Sequence, residues 1–137
     1  MKTKKSIIKA FIRLWPREVY DMKSNGKNIE SVKNELFGKP GIYVLYRDEK
    51  PYYVGQAVNL WKRIKRHAVN QNSKQFHGWT KFSAFILEDK KYMNELEGLI
   101  LSVLENETAN GAKQKITKIP LPADARKALA KLKTIRL

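Results

Sequence analysis

Two short runs of aromatic and β-branched residues, separated by a polar link, constrain the fold of this chain more than any other feature of its sequence. The first run is Gly-Ile-Tyr-Val-Leu-Tyr at 41–46, and the second is Tyr-Tyr-Val-Gly at 52–55. Charged residues and a proline fill the link at 47–51. Such runs on either side of a turn segment are typical of a β-hairpin. The sequence therefore predicts two antiparallel strands joined by a loop at 47–51.

The predicted register of this hairpin decides which tyrosines share a face. With that loop, Tyr46 faces Tyr52, and Tyr43 faces Gly55. Because side chains alternate between the two faces of a strand, Tyr43 and Tyr53 then project from the same face as diagonal neighbours. A slip of one residue would place these two tyrosines on opposite faces, so the inference depends on the register.

A basic helix is predicted directly after the hairpin. Apolar residues recur there at helical spacing, at Leu60, Ile64 and Ala68. Asn59 is a suitable N-cap for this helix. Arg63 and His67 lie four residues apart and so share a helix face. Two tyrosines, an arginine and a histidine are therefore expected to meet where the hairpin joins the helix.

A second helix, predicted to follow Asp89 and to run to about Glu105, carries a glutamate within its apolar stripe. The stripe consists of Met93, Leu96, Ile100, Val103 and Leu104. At 100° per residue, Glu97 falls inside it, between Met93 and Leu101. A carboxylate in that position must be paired, bound to a metal or placed at the edge of a cleft. A boundary position with an exposed head group is the simpler alternative.

These segments together resemble the core of the GIY-YIG nuclease family. The first family signature appears as Gly-Ile-Tyr at 41–43 and the second as Tyr-Val-Gly at 53–55. The start of the basic helix, Asn-Leu-Trp-Lys-Arg at 59–63, also matches in residue type and spacing. The resemblance covers residues 39–110, about half of the chain. One departure is Gln56, which stands where a lysine is common in the family.

The resemblance implies a role for each residue of the constellation. Tyr43 would accept a proton from the attacking water, Arg63 would bind the phosphate, and Glu97 would hold one divalent cation, Mg²⁺ or Mn²⁺. Tyr53 would hydrogen-bond the phosphate or the water, and His67 would orient Tyr43 or share the proton transfer. The residues expected to bind substrate are Gly55, Gln56, Lys62, Arg66 and Asn110.

Two of these assignments have an alternative in the sequence. The family often has an asparagine about a dozen residues after its glutamate; Asn110 is the first candidate and Asn106 the second. Either asparagine could equally be a turn residue. Glu95 is a weaker candidate than Glu97 for the metal, because it points away from the apolar stripe.

Composition indicates a nucleic-acid partner and a reducing environment. The 137 residues carry a net charge of +15, which suits a polyanion because Lys and Arg on phosphates release counterions. An acidic membrane surface is the rival partner, and a merely soluble basic protein is the simplest alternative. The chain has no cysteine, and Lys9 and Arg13 interrupt the apolar N-terminal stretch. We therefore expect a cytoplasmic protein without a secretory signal or a membrane span.

The length and 42% apolar content fit one compact domain. We predict a mixed α/β (α+β) fold in which helices flank a three-stranded, largely antiparallel sheet, with 81–87 as its third strand. Residues 1–38 are predicted to be a helical extension, with a first helix at 6–15. The nuclease-like core spans 39–110, and a basic helical extension with a closing helix spans 111–137.

The predicted function is metal-dependent endonucleolytic cleavage of DNA, in repair or recombination. RNA stays open as a substrate, as does a protein partner. The alternative is a non-catalytic nucleic-acid-binding module on the same fold. No sequence feature assigns the substrate structure or the oligomeric state.

Overall fold

The computed structural model describes residues 6–24, 26–69, 78–104 and 119–135. Its strands are β1 (Ile8–Pro16), β2 (Lys23–Ser24), β3 (Lys27–Asn28), β4 (Gly41–Arg47), β5 (Lys50–Ala57) and β6 (Lys81–Leu87). Its α-helices are α1 (Glu30–Lys33), α2 (Leu60–Val69), α3 (Met93–Val103) and α4 (Ala123–Ile135), and a 3₁₀ turn spans Arg17–Tyr20. The main sheet is antiparallel with the strand order β1-β6-β4-β5. The mixed α/β fold is thus as predicted, but the described part of the main sheet has four strands rather than three.

The β4–β5 hairpin has the predicted register over most of its length. Tyr43 lies opposite Gly55, and Leu45 lies opposite Tyr53. An irregularity after Leu45 places Tyr46 opposite Pro51, so the predicted pairing of Tyr46 with Tyr52 is wrong.

The predicted five-residue loop of this hairpin is also wrong. Arg47 already pairs with Lys50, which leaves a two-residue turn. Asp48 and Glu49 form that turn with φ values of 50° and 65°. Positive φ at both central residues gives a turn whose twist matches that of the two strands. The tighter turn is compatible with the predicted pairing further along because the irregularity beside Tyr46 absorbs the difference.

The helix predicted over 6–15 is wrong: this segment is the edge strand β1. It pairs with β6 through two register shifts, one of them between Ile12 and Trp15. Leu14, with φ of 53°, lies in that shift, and its backbone N–H donates to Ser83 Oγ over 3.0 Å. Such an irregularity disturbs the strict alternation of a strand, so the apolar residues imitate helical spacing. Pairing with the open edge of β6 outweighs that local pattern.

Different helices cover the two faces of the main sheet. Tyr43 and Leu45 belong to the core cluster that includes the buried side of α2. Ile42 and Val44, which alternate with them along β4, pack with the buried residues of α3. β5 is an edge strand, and residues of α2 and α3 approach one another around it, because Met93 of α3 lines the same cleft as Lys62 and Arg63 of α2.

The remaining helices match the sequence analysis in part. The closing helix is confirmed as α4, and its basic residues are exposed. Its two leucines, Leu129 and Leu132, are also 43% and 53% exposed, so neither is buried against the described part of the chain. Among the described helices, none has both the length and the apolar character needed to cross a membrane.

Candidate active site

Three aromatic side chains form the centre of the candidate site. The Tyr43 hydroxyl lies 2.7 Å from His67 Nε2. The rings of Tyr53 and His67 are 5.6 Å apart, and those of Tyr43 and Tyr53 are 6.1 Å apart. Tyr43 and His67 are buried, with 1% and 6% of their surface exposed, whereas Tyr53 is half-buried. The structure therefore brings together the two tyrosines and the histidine that the sequence analysis selected.

The local sequence of α2 explains why His67 lies in this cluster. The side chain of Asn59 accepts a hydrogen bond from the backbone N–H of Lys62 over 3.3 Å, so Asn59 caps the helix as predicted. Leu60 and Ile64 are fully buried against the sheet. His67 lies three residues after Ile64 and therefore continues the same buried face.

Gly55 makes room for the phenol of Tyr43. A Cβ atom at this position would overlap the ring and hydroxyl of Tyr43, which lies opposite on β4. The glycine of the second family signature thus has a steric reason in this chain.

Burial dominates the protonation of the central pair. It raises the pKa of Tyr43 above its ordinary value; the neighbouring Tyr53 adds to the effect, and the charge of Arg63 opposes it. Burial, with the charges of Arg63 and Arg66, lowers the pKa of His67 to about 4. At neutral pH the phenol is therefore protonated and donates its hydrogen bond to a neutral imidazole. The charge of Arg63 thus favours the phenolate of Tyr43, but burial outweighs it.

A cleft of about 430 Å³ opens beside this cluster, between the end of β5 and helix α2. Its lining residues are Gln56, Ala57, Val58, Asn59, Lys62, Arg63, Arg66 and Met93. Three of them are exposed cations on α2, namely Lys62, Arg63 and Arg66. Arg63 lines the cleft, and its charge also acts on the Tyr43 phenol. Such a cleft suits a phosphate-bearing ligand.

Glu97 reaches the same region from α3. It is half-buried and lies one helical turn from each of two buried residues, Met93 and Leu101, as its place in the apolar stripe predicted. Its Oε2 accepts a hydrogen bond from Gln56 Nε2 over 3.0 Å. Its charge also raises the pKa of the Tyr43 phenol, so the carboxylate and the phenol influence one another. Glu95, by contrast, is exposed.

The donor set is compatible with one hard divalent cation. Within the described ranges, no group of three or more His, Cys, Asp or Glu side chains is arranged to hold a metal. Mg²⁺ is usually bound through one or two carboxylates plus substrate phosphates, and it keeps several water ligands. A single carboxylate, Glu97, at the side of an open basic cleft fits this mode of binding. It does not fit a metal that needs a closed cage of protein ligands.

Supporting residues behind α2 were not found by the sequence analysis. The indole Nε1 of Trp79 donates to the backbone carbonyl of His67 over 3.2 Å, and Arg17 donates to the carbonyl of Ala68 over 2.7 Å. The Arg17 guanidinium also lies 4.7 Å from the Trp79 ring centre. These contacts hold the C-terminal turn of α2. No local pattern reveals them, because both residues lie far from His67 in the sequence.

Asn110 and Asn106, the two candidates for the asparagine of the family, lie outside the described residues.

A mixed α/β domain with paired tyrosines on a hairpin, beside a basic helix and a glutamate-bearing helix, is the architecture expected of the GIY-YIG class. The family model described as the GIY-YIG catalytic domain matches residues 39–112. The match covers more than half of the 137 residues. The chain belongs to the GIY-YIG catalytic domain family, and the resemblance drawn from its sequence is confirmed.

Solved structures of another protein also show similarity. They contain the GIY-YIG N-terminal endonuclease domain of UvrC from Thermotoga maritima. The form bound to magnesium, its catalytic divalent cation, has 18% identity and a TM-score of 0.45, with 55% of this chain and 91% of that chain covered. A point mutant bound to its catalytic divalent cation has 18% identity and a TM-score of 0.45, with coverages of 55% and 90%. No curated protein sequence matches this chain.

Proposed function

We propose that this protein is a metal-dependent endonuclease that hydrolyses phosphodiester bonds of DNA. The observation that carries the proposal is the 2.7 Å contact between the Tyr43 hydroxyl and His67 Nε2, in a cluster on which the charges of Arg63 and Glu97 both act. A proton acceptor, a phosphate-binding cation and a carboxylate are the parts that such a hydrolysis needs. Family membership supports the same reaction class.

Tyr43 and His67 together move the proton of the attacking water. The phenol is protonated at neutral pH, so it cannot simply remove a proton. As the phenol oxygen accepts a proton from water, its own proton passes along the existing hydrogen bond to His67 Nε2. His67 is neutral in the resting state and is therefore able to receive it. Tyr53, half-buried beside the pair, hydrogen-bonds the water or the phosphate.

The cleft residues bind the scissile strand. The planar guanidinium of Arg63 matches the non-bridging phosphate oxygens and stays charged throughout. Lys62 and Arg66 line the same cleft and are assigned to neighbouring phosphates. Gln56 also lines it, and Gly55 is retained as a substrate-binding residue because the family resemblance implies it. Asn110 is retained as a substrate-binding residue, with Asn106 as its alternative.

Glu97 would hold the divalent cation, Mg²⁺ or Mn²⁺. When bound, such a cation stabilises negative charge on the phosphate and assists the departing oxygen. Glu97 is suited to this role because it is half-buried and bonded to Gln56, which lines the basic cleft.

Cleavage of supercoiled plasmid and of branched DNA in MgCl₂ tests the proposal. We expect the native chain to cut and Glu97→Ala to lose activity while still binding DNA. Glu95→Gln, which removes a neighbouring exposed carboxylate, is the matched control and should cut like the native chain. Comparison of duplex, flap and junction substrates then tests the predicted setting in repair or recombination. Failure of the native chain to cut any of them in Mg²⁺ or Mn²⁺ would contradict the proposal.

A non-catalytic nucleic-acid-binding module is the second candidate. The observation in its favour is the raised pKa of Tyr43, which keeps the phenol protonated. If the chain is such a binding module, we expect salt-dependent DNA binding by the native chain and no cleavage in Mg²⁺ or Mn²⁺. RNA in place of DNA in the same assays decides which nucleic acid is preferred.

A further inference from the structure

The side-chain amide of Gln56 joins strand β5 to helix α3 beside the candidate site. Its Nε2 atom lies 3.0 Å from Glu97 Oε2 and 3.0 Å from Asn94 Oδ1. An amide nitrogen carries two hydrogens, so it can donate one to each of these oxygens. Gln56 therefore contacts two residues of α3 at the same time.

The backbone explains why these three side chains meet. Gln56 alternates with Gly55 along β5 and so points to the side of the sheet that α3 covers. Asn94 and Glu97 are three residues apart on α3 and lie on one face of that helix. The hydrogen bonds thus connect one strand position to one turn of the helix, near the N-terminal end of α3.

The chemistry of an amide suits this position. A hydrogen bond to an ionised carboxylate is stronger than one between neutral groups, so it restrains the orientation of the Glu97 side chain. Because the amide is neutral, it does this without bringing a positive charge against the carboxylate. The lysine that is common at this position in the family would add such a charge. Asn94 Oδ1 accepts the other amide hydrogen of Gln56 and so restrains the orientation of that amide.

Building on the proposed function, we propose that Gln56 and Asn94 are positioning residues for Glu97. They hold its carboxylate in one orientation at the side of the cleft, where it binds the divalent cation. Neither residue needs to touch the cation for this role. Residues that orient a metal ligand in this way commonly change metal affinity by about 10- to 100-fold when they are removed.

Titration of the full chain with MnCl₂ alone, followed by the EPR signal of free Mn²⁺, tests the proposal without any nuclease assay. Gln56→Met keeps the side-chain size but has no N–H to donate. We expect it to raise the Kd for Mn²⁺ about tenfold. Gln56→Asn keeps an amide that is one methylene too short, and we expect a similar loss. Asn94→Ala should weaken binding less, by about threefold, since Gln56 keeps its bond to Glu97.

Glu95→Gln is the control for charge, because it removes a carboxylate from the same helix outside this network. Its Kd for Mn²⁺ should stay within about twofold of the native value.

Thermal unfolding without metal separates a positioning role of Gln56 and Asn94 from a role in folding. Because Gln56 is half-buried and Asn94 is exposed, we expect their variants to melt within about 2 °C of the native chain.

The EPR spectrum of bound Mn²⁺ at saturation supplies a second readout. A carboxylate released from its amide partner adopts more than one orientation, so the bound spectrum of Gln56→Met should be broader than that of the native chain. If Gln56 had only a structural role, its replacement would not broaden the spectrum of bound Mn²⁺.

The two proposals fail in different ways. If the native chain does not bind Mn²⁺, or if Glu97→Ala binds it equally well, the metal role of Glu97 is wrong and the positioning proposal is overturned with it. If Mn²⁺ binding depends on Glu97 but Gln56→Met binds with the native Kd and spectrum, only the positioning proposal is overturned.

Discussion

At the scale of single residues, the proposed reaction depends on one buried hydrogen bond. Tyr43 is almost completely buried, yet its hydroxyl has a neutral histidine as partner. A buried hydroxyl without a partner would cost about 1–3 kcal/mol, so His67 stabilises the fold as well as serving the proposed reaction. The same contact therefore predicts effects on activity and on stability that different variants can separate.

Tyr43→Phe removes the proton acceptor while keeping the ring. We expect DNA cleavage to fall by at least about 100-fold, since a positioned proton-transfer group commonly contributes about 10²–10⁴. DNA binding should change little. Tyr46→Phe, on the same strand and in contact with the other core cluster, is the control and should cut normally. Normal cleavage by Tyr43→Phe would exclude the assigned role.

Gly55→Ala tests the close approach of the hairpin strands. Its added methyl group would meet the Tyr43 phenol, so either the ring or the strand must move. Overpacking of this kind commonly costs about 1–3 kcal/mol. We expect a matching loss in the free energy of unfolding by urea, together with reduced cleavage. In a Tyr43→Ala background the same Gly55→Ala change should cost less, because the obstructing ring is then absent.

Because His67 is buried and neutral, we expect the folded protein to lose stability at mildly acidic pH. The pKa of its imidazole is about 6.5 when the chain is unfolded and about 4 in the fold, so the unfolded state takes up a proton first as pH falls. The stabilisation is fully present above about pH 6.5 and is lost progressively as pH falls to about 4. His67→Gln does not titrate, and its unfolding free energy should fall less over this window. Equal slopes for the two proteins would contradict the assigned burial.

At the scale of secondary-structure elements, the edge strand β1 completes the sheet. It pairs along β6, and Phe11 stacks on Phe85 with ring centres 6.1 Å apart. Ile12 is the buried residue of the strand, with 8% of its surface exposed. The strand leads directly into the 3₁₀ turn whose Arg17 holds the end of α2. β1 therefore supports the site from a distance, although it precedes the family match.

Ile12→Ala tests this contribution. The side chain packs in the main core cluster, so its truncation should cost about 2 kcal/mol or more. Arg13→Ala, on the exposed side of the same strand, should change stability by no more than about 0.5 kcal/mol. Urea unfolding of both variants provides the measurement. Equal stabilities would show that β1 is not integrated into the core.

At the scale of the whole molecule, the charge of +15 is unevenly organised around the fold. Lys62, Arg63 and Arg66 line the cleft at the β5 side of the sheet. Other cations lie on β1, which forms the opposite edge, and on the exposed face of α4. Of these three groups of described cations, the first adjoins the candidate site, so its contribution to nucleic-acid binding should be separable from that of the other two.

The double variant Lys62→Ala with Arg66→Ala should weaken DNA binding and reduce its salt dependence. Each lost phosphate contact lowers the slope of log K against log salt by about 0.9 for duplex DNA, so we expect a change of about 2. Lys9→Ala with Arg13→Ala removes the same charge from the opposite edge and is the matched control. Fluorescence anisotropy at several salt concentrations measures both. Equal slopes would mean that the cleft is not the binding surface.

Prediction from sequence succeeded where a short pattern determines geometry. Alternation and register along β4 and β5 placed Tyr43 and Tyr53 on one face, and the helix predicted after the hairpin brought His67 to them. It failed at β1, where strand irregularities imitate helical spacing, and at the hairpin turn, where the loop is shorter than its polar residues suggested. Both failures involve strand pairing, which depends on a partner far away in the chain.

The sequence by itself determined the family, the hairpin register around Tyr43 and Tyr53, and the position of Glu97 in an apolar stripe. These features follow from local periodicity and motif spacing. Only the tertiary structure decided that Gln56 bonds Glu97, that Trp79 and Arg17 hold the end of α2, and that burial keeps the Tyr43 phenol protonated. Contacts and burial of this kind arise between segments distant in the chain, and no local pattern encodes them.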